Sequence, residues 1–208
     1  GQDIDGESSG DESGRSVSTS ADGNTVAIGA NMNEGNGTSS GHVRVFENIG
    51  GSWSQIGNDI NGEAYGDNSG WSVSLSDDGN TVSIGAYLND GNGFRSGHVR
   101  VFKNIGGAWS QLGNDIDGEA AGDQSGYSVS MSSDGNTVAI GARYNDPYGT
   151  GQLTPSGHAR IYNWSGTSWI QVGQDIDGEA GNDNFGHSVS ISDDGNTVAI
   201  GAYGNDGN

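Results

Sequence analysis

Carboxylates recur at fixed spacing in this sequence, in the pattern D-x-[DN]-G-E-x3-D, which appears four times. Each copy offers several hard oxygen ligands, and together with carbonyl oxygens and water these can satisfy Ca²⁺. The glycine stands at the fourth position instead of the sixth position of an EF-hand loop, so a solvated acidic connection without an ion is the alternative. The predicted metal ligands are Asp3, Asp5, Glu7, Asp11, Asp59, Asn61, Glu63, Asp67, Asp115, Asp117, Glu119, Asp123, Asp175, Asp177, Glu179 and Asp183.

A second acidic motif, S-x-D-G-N-T, also appears four times, with its carboxylate at Asp22, Asp78, Asp134 and Asp194. Asp-Gly and Gly-Asn pairs favour tight hairpins, because these residues tolerate positive φ. The motif supplies one or two carboxylates, whereas Ca²⁺ needs about six to eight oxygens. We therefore predict a structural hairpin turn at this motif.

One repeat position carries a changing set of large polar and aromatic residues: Arg15, Trp71, Tyr127 and His187. Such variation at equivalent places is typical of a binding surface, and aromatic rings suit the faces of sugars. A tolerant exposed position would vary in the same way. We predict these four side chains as ligand-binding residues.

The remaining histidines, His42, His98 and His158, occupy a single repeat position in the frame S-G-H-[VA]-R. A catalytic histidine is normally unique to its site, so three equivalents favour a packing or edge role. No nucleophile, base and orienting group occur together outside the repeated pattern. The sequence therefore predicts no catalysis.

The composition favours strands and tight turns. The 208 residues include 40 glycines, 2 prolines and no cysteine, and the formal net charge is −20. Val, Ile, Thr and aromatic residues recur in short runs, which indicates an all-β protein. The acidity argues against nucleic acids and anionic membranes as partners, and the lack of cysteine excludes disulfides and thiolate metal sites.

The chain is built of repeats that begin at Gly1, Gly57, Gly113 and Gly173, so the predicted units are 1–56, 57–112, 113–172 and 173–208. A period slightly above 50 residues belongs to propellers and related arrays. We expect about 3.5 four-stranded antiparallel blades of one propeller domain, as a piece of a larger ring. No apolar run is long enough to span a bilayer, so no membrane insertion is expected in this segment.

Each full repeat shows four strand signals, which in the second repeat cover 71–76, 81–86, 98–102 and 108–116. The second strand is small or apolar on both faces, as expected between neighbouring sheets. In the third strand, Arg100 alternates with valines, which predicts one face in water. Trp109 of the fourth strand is expected to fill the wedge between sheets. The only insertion, in the third repeat between 145 and 158, falls in a predicted loop.

The frame G-x-S-V-S-x-S-x-D-G-N-T-V-A-I-G-A, followed by S-G-H-V-R-V-F, resembles the FG-GAP repeats of the integrin α-chain propeller and its bacterial relatives. It is most similar to a diverged form in secreted or surface proteins of marine bacteria and algae. Phe185-Gly186 supplies the first family signature literally, whereas Ser13, Ser69 and Ser125 replace the phenylalanine elsewhere. The family's calcium loop between the first two strands is shortened here to S-x-D-G-N-T.

The resemblance implies a non-catalytic extracellular scaffold for adhesion or ligand binding, with Ca²⁺ as the cofactor to be tested. It also implies a secreted or cell-surface location, and a protein or glycan ligand at a cell surface, or copies of the chain itself, as partner. Two alternatives stay open: a structural repeat of an extracellular filament or stalk, and an accessory propeller of a carbohydrate-active enzyme. A fold hosts many functions, so these expectations follow from the family and not from a derived site.

Overall fold

The computed structural model describes residues 2–146 and 155–207, and these residues form strands, turns and loops without an α-helix. The loop insertion predicted in the third repeat falls largely on residues 147–154, outside the described part. The strands are β1 Ser13–Thr19, β2 Thr25–Ala30, β3 His42–Ile49, β4 Ser52–Gln55, β5 Ile60–Asn61, β6 Ser72–Leu75, β7 Thr81–Ala86, β8 His98–Ile105, β9 Ala108–Gln111, β10 Ile116–Asp117, β11 Ser128–Met131, β12 Thr137–Ala142, β13 His158–Trp164, β14 Trp169–Gln171, β15 Ile176–Asp177, β16 Phe185–Ile191 and β17 Val198–Ala202.

These strands form repeated antiparallel sheets, which confirms the prediction of a partial β-propeller. In the first sheet the order is β1-β2-β3-β4, with β5 pairing the beginning of β3, and the next two sheets repeat this arrangement. Strands β16 and β17 form a two-stranded sheet. The first strands β1, β6, β11 and β16 lie next to one another along the chain of sheets.

The fourth strand is broken, and the prediction of one continuous strand over 108–116 was wrong. Strand β9 ends at Gln111 and β10 begins at Ile116, because Gly113 has φ 79° and turns the chain between them. The amide of Gln111 donates to Asp115 Oδ1 across the break at 2.6 Å. Because of the break, Asp115 lies outside the backbone ladder of the sheet, whereas an uninterrupted strand would have kept it inside the ladder.

The second strands β2, β7 and β12 are buried along their whole length, as predicted for strands between sheets. Small side chains on the first strands let the sheets approach closely. Serines of these strands accept hydrogen bonds from backbone N–H groups of the next sheet. The backbone N–H of Leu75 donates to Ser18 Oγ at 2.9 Å, and that of Met131 donates to Ser74 Oγ at 3.0 Å. The serine face of each first strand therefore joins one sheet to its neighbour.

Tryptophan and arginine complete the contacts between sheets. The indole N–H of Trp109 donates to the Ile56 carbonyl of the preceding repeat at 2.9 Å, so this ring reaches into the wedge as predicted. Arg100, by contrast, is only 6 % exposed, and the prediction that its face meets water was wrong. Its guanidinium donates to the Asn61 carbonyl at 2.6 Å and lies over the Phe102 ring, which explains how a cation is accommodated there.

No helix in the described residues is long and apolar enough to cross a bilayer.

Candidate ligand-binding surface and metal-binding clusters

The S-x-D-G-N-T motif forms the hairpin between the first two strands. In the first copy Asp22 Oδ1 accepts hydrogen bonds from Ser20 Oγ at 2.7 Å and from the Asn24 backbone at 2.9 Å, while its Oδ2 accepts from the Asn24 amide at 2.8 Å. These bonds, led by the one from Ser20, lower the pKa of Asp22 to about 2. Both carboxylate oxygens are therefore used inside the turn, and the shortened loop does not fit the calcium site that the family resemblance implies.

The last aspartate of each acidic connection is likewise committed to its own loop. Asp67 is 3 % exposed, and its Oδ2 accepts from the Ala64 backbone at 2.9 Å and from the Asn89 amide at 3.2 Å. Asp11 makes the same contacts with Ser8 and Asn33, at 3.2 and 2.8 Å. These residues were predicted as metal ligands, and the structure places them as internal acceptors that hold two loops together. Asp123 and Asp183 occupy the equivalent place.

The third residue lies in a short fourth-strand segment in three of the acidic connections, as Asn61, Asp117 and Asp177, whereas Asp5 lies in no strand. Asn61 pairs with His42, and Asp117 pairs with His98, through the backbone ladder. Burial raises the pKa of the Asp117 carboxyl, with the nearby Asp115 carboxylate acting in the same direction. All four residues at this position, Asp5, Asn61, Asp117 and Asp177, are exposed. Among the predicted ligands, this set therefore serves mainly to fix the strand register.

The sequence predicted that the ligands of one acidic connection would act together, but the structure brings together residues from two successive connections. The glutamate of one connection and the first aspartate of the next meet at a buried histidine on the third strand. Residues 2–146 and 155–207 contain three such groups, in which one atom of each residue lies within 4.8 Å of the others. Hereafter they are the Glu–His–Asp clusters: Glu7, His42 and Asp59; Glu63, His98 and Asp115; Glu119, His158 and Asp175. The first and fourth copies thus contribute only part of their predicted ligands, leaving Asp3 and Glu179 outside any cluster among the described residues.

The histidines were predicted to have a packing or edge role, and each is 1 % exposed at the beginning of a third strand. Burial, followed by the positive charge of Arg100, lowers the pKa of His98 to about 4, and burial lowers that of His158 to about 4. At neutral pH these imidazoles are uncharged, so their contacts with carboxylates are not ion pairs. A signal for their role was present in the sequence, because each histidine recurs with the same acidic connections on either side.

The four predicted ligand-binding residues form one continuous row across four sheets. The guanidinium of Arg15 lies 3.7 Å from the centroid of the Trp71 ring, which is 5.4 Å from the Tyr127 ring. Tyr127 in turn lies 5.2 Å from His187. Each residue stands at or near the beginning of a first strand, and because those strands adjoin, their side chains adjoin as well. We call this set the aromatic row.

Three further side chains belong to the aromatic row and were not predicted. Tyr87 lies 4.4 Å from the Trp71 ring, Arg143 lies 3.7 Å above the Tyr127 ring, and Tyr203 lies 4.6 Å from His187. They all follow the I-G-A motif at the end of a second strand, so the same alignment of repeats could have revealed them. Burial and the charge of Arg143 lower the pKa of His187, which keeps its ring neutral at pH 7.

The backbone beneath the aromatic row is held in an unusual conformation. Glu12, Asn68, Gln124 and Asn184 have φ between 55° and 57°, a region that non-glycine residues rarely adopt. Gln124 also accepts a hydrogen bond from the Arg143 guanidinium at 3.1 Å, which fixes that cation over its ring. Strained backbone of this kind persists where the surrounding structure determines it, and it is common next to binding sites.

Comparison with known proteins agrees with this architecture. The model of the family described as FG-GAP repeat matches residues 58–102, 116–161 and 176–208, together more than half of the chain. The chain belongs to the FG-GAP repeat family. No curated protein matches it.

Solved structures similar to this FG-GAP repeat chain share its fold at low identity. They include two putative 6-phosphogluconolactonases, from Bacteroides uniformis (15 % identity, TM-score 0.58) and Bacteroides fragilis (12 %, 0.54), and the hydrazine synthase of Kuenenia stuttgartiensis (13 %, 0.54). These matches cover 89, 88 and 89 % of this chain but only 46, 40 and 42 % of those chains, in the same order. The FG-GAP repeat chain thus spans less than half of each matched structure, and the likeness concerns the fold alone.

Proposed function

We propose that this FG-GAP repeat chain is a non-catalytic ligand-binding scaffold, secreted or displayed at a cell surface, and that the aromatic row binds its ligand. The observation that supports this most is the continuity of the row: Arg15, Trp71, Tyr127 and His187 come from four repeats and touch in sequence order. Three of these four side chains carry rings and the fourth a guanidinium, so the row presents one contiguous surface of the kind that a ligand contacts.

The chemistry of the aromatic row suits a glycan that carries anionic groups. Its rings offer flat apolar faces for sugars, and Arg15 and Arg143 add two positive charges to a chain whose net charge is −20. Three of the six arginines, Arg44, Arg100 and Arg160, are buried in the sheets. Cations are therefore scarce, and two of the remaining ones lie on the row. An extracellular adhesion role follows from such a ligand.

The experiment is glycan-array binding of the 208-residue chain, with neutral, uronic-acid and sulfated glycans, followed by titration of the best ligand. Trp71→Ala is expected to weaken binding at least tenfold, about 1.4 kcal/mol, because buried aromatic anchors carry most of an interface's energy. Tyr65→Ala is the matched control, since Tyr65 is a 77 % exposed aromatic ring outside the row. Equal binding by wild type and Trp71→Ala, or no glycan binding at all, would contradict the proposal.

Stabilisation by Ca²⁺ stays a prediction for the acidic connections. Its support is the hollow of about 420 Å³ whose lining includes the acidic residues Glu7, Asp11 and Glu34. A ligand that binds only the folded chain at a hundredfold excess over Kd stabilises it by about 2.7 kcal/mol. Calorimetric melting with Ca²⁺ and with chelator tests this directly, and identical curves would refute it.

The filament and accessory-enzyme alternatives are separated from the scaffold by simple measurements. Electron microscopy of the native protein distinguishes a filament from an isolated propeller. The similarity to structures of putative lactonases shows a shared fold at 15 % identity or less, and activity on 6-phosphogluconolactone is the assay that would favour an enzymatic role. The threefold repetition of the Glu–His–Asp clusters speaks against any one of them being a catalytic centre.

A further inference from the structure

Each Glu–His–Asp cluster contains a buried nitrogen without a protein partner. His42 and His158 are 1 % exposed, and their Nδ1 atoms make no hydrogen bond within residues 2–146 and 155–207. A buried polar atom left without a partner costs about 1–3 kcal/mol, and one such nitrogen is found at this repeat position in each cluster, as Nδ1 of His42 and His158 and as Nε2 of His98. Such recurrence indicates that the nitrogen meets a group supplied from solution.

Two carboxylate oxygens face this nitrogen at distances too long for hydrogen bonds. In the first cluster His42 Nδ1 lies 3.8 Å from Glu7 Oε2 and 3.9 Å from Asp59 Oδ2. The second and third clusters repeat these two distances. A hydrogen bond between these atoms would bring them to about 2.7–3.2 Å. The imidazole nitrogen therefore forms no hydrogen bond with either carboxylate oxygen, whereas the Glu119 and Asp175 carboxyls of the third cluster are close enough to share one.

The second oxygen of each carboxylate, the one that does not face the histidine, contacts another side chain. The amide of Gln55 donates to Asp59 Oδ1 at 2.7 Å, which leaves Oδ2 directed at His42. The guanidinium of Arg44 lies 3.9 Å from Glu7 Oε1, the oxygen that is not in the contact with His42. Outer partners that orient ligating groups in this way accompany metal ligands generally. Gln111 and Gln171 repeat the contact in the other two clusters.

We propose that each Glu–His–Asp cluster binds a divalent transition-metal ion of the Zn²⁺ class through the histidine nitrogen and one oxygen of each carboxylate. Mixed imidazole and carboxylate ligands suit Zn²⁺, whereas Ca²⁺ takes oxygen ligands only. Ligand atoms of a tetrahedral Zn²⁺ site lie about 3.4 Å apart. The nitrogen–oxygen distances of 3.8 and 3.9 Å would therefore shorten by about half an ångström, and the two carboxylate oxygens, which lie within 4.8 Å of each other, would approach by up to about 1.4 Å. Water would complete the coordination.

Such an ion would connect parts of the chain that are far apart in sequence. Glu63 comes from the acidic connection before the second sheet, His98 from its third strand, and Asp115 from the connection after it. The ion would thus fix each acidic connection to the sheet that it borders. This role is independent of the aromatic row, which lies on the first strands.

The test titrates Zn²⁺ alone into the metal-stripped 208-residue chain by calorimetry, with Co²⁺ absorption as a second probe of nitrogen and oxygen ligation. Binding of up to three ions is expected. Glu63→Gln should remove one ion or weaken its binding at least about tenfold, because even outer partners cost that much. Glu179→Gln is the matched control, since this glutamate has the same repeat position but lies in none of the three clusters among the described residues.

Histidine NMR keeps the proposal testable if a variant fails to fold. In the wild-type chain, the Nδ1 resonances of His42 and His158 should shift on addition of Zn²⁺, while those of His187 stay unchanged. Absence of Zn²⁺ binding, unmoved histidine resonances, or unchanged stoichiometry in Glu63→Gln would overturn the proposal. Displacement of Zn²⁺ by millimolar Ca²⁺ would also overturn it, because that result assigns an oxygen-only site. Glycan binding reports on the aromatic row separately.

Discussion

Replacement of Gly85 by alanine tests how closely neighbouring sheets must approach. A Cβ atom at Gly85 would lie 2.1 Å from the carbonyl oxygen of Gly126 and 2.3 Å from Ser72 Oγ. The hydroxyl can rotate away, but the carbonyl belongs to the backbone of the next sheet, immediately before Tyr127 of the aromatic row. Gly201 offers a matched control at the same repeat position, since its three nearest atoms all belong to Ser188.

The cost of Gly85→Ala follows from these contacts. An ordinary Cβ contact begins at 3.4 Å, so the Gly126 carbonyl must retreat by more than about 1 Å. That shift breaks the 2.9 Å hydrogen bond from Ser72 Oγ to the same carbonyl, a loss of about 1 kcal/mol. Strain from overpacking adds about 1–3 kcal/mol. The expected loss is therefore about 2–4 kcal/mol, whereas Gly201→Ala should cost less than about 1 kcal/mol because only a hydroxyl must turn.

Urea unfolding followed by tryptophan fluorescence measures both variants, with the free energy of unfolding obtained by linear extrapolation. Gly85→Ala should also weaken ligand binding, because the displaced carbonyl carries Tyr127 with it. Equal destabilisation by Gly85→Ala and Gly201→Ala would refute the idea that close approach between sheets is the reason why residue 85 must be glycine.

Two further predictions concern pH and the wedge between sheets. In the metal-free chain, the pKa values of His98 and His158 are about 4 in the folded state and 6.5 in the unfolded state. The unfolded state therefore binds protons at higher pH than the folded state, and the free energy of unfolding falls as the pH is lowered from 6.5 to 4. A urea midpoint that stays constant from pH 7 to pH 5 would contradict this prediction. Trp109→Phe removes the bond to the Ile56 carbonyl and should cost about 1 kcal/mol more than Trp53→Phe, whose indole N–H makes no such bond within the described residues; equal thermal shifts would count against it.

Features determined by short-range chemistry could be predicted from the sequence. The hairpin at Asp22 depends on residues within five positions of one another, so its turn was evident from the motif. The burial of β7 followed from a run that is small or apolar on both faces. The repeat period then gave the sheet architecture, because the same local pattern recurred four times.

Features determined between repeats were not predictable in the same way. The burial of Arg100 depends on the carbonyl of Asn61, which belongs to a neighbouring sheet. Alternation of apolar and polar residues cannot reveal such partners, because it describes a single strand. A buried arginine whose charge is met by a carbonyl and a ring looks the same in sequence as one in water.

The sequence alone determined the repeat, the strand pattern, the acidic turns and the four members of the aromatic row that vary between repeats. Only the tertiary structure decided which carboxylates meet. It places Glu7 and Asp59, some fifty residues apart in the chain, at one buried histidine, and it turns Asp11 into an internal acceptor. The physical reason is that ligand sets and contact rows form across sheets, where distance in space is set by packing and not by spacing in the chain.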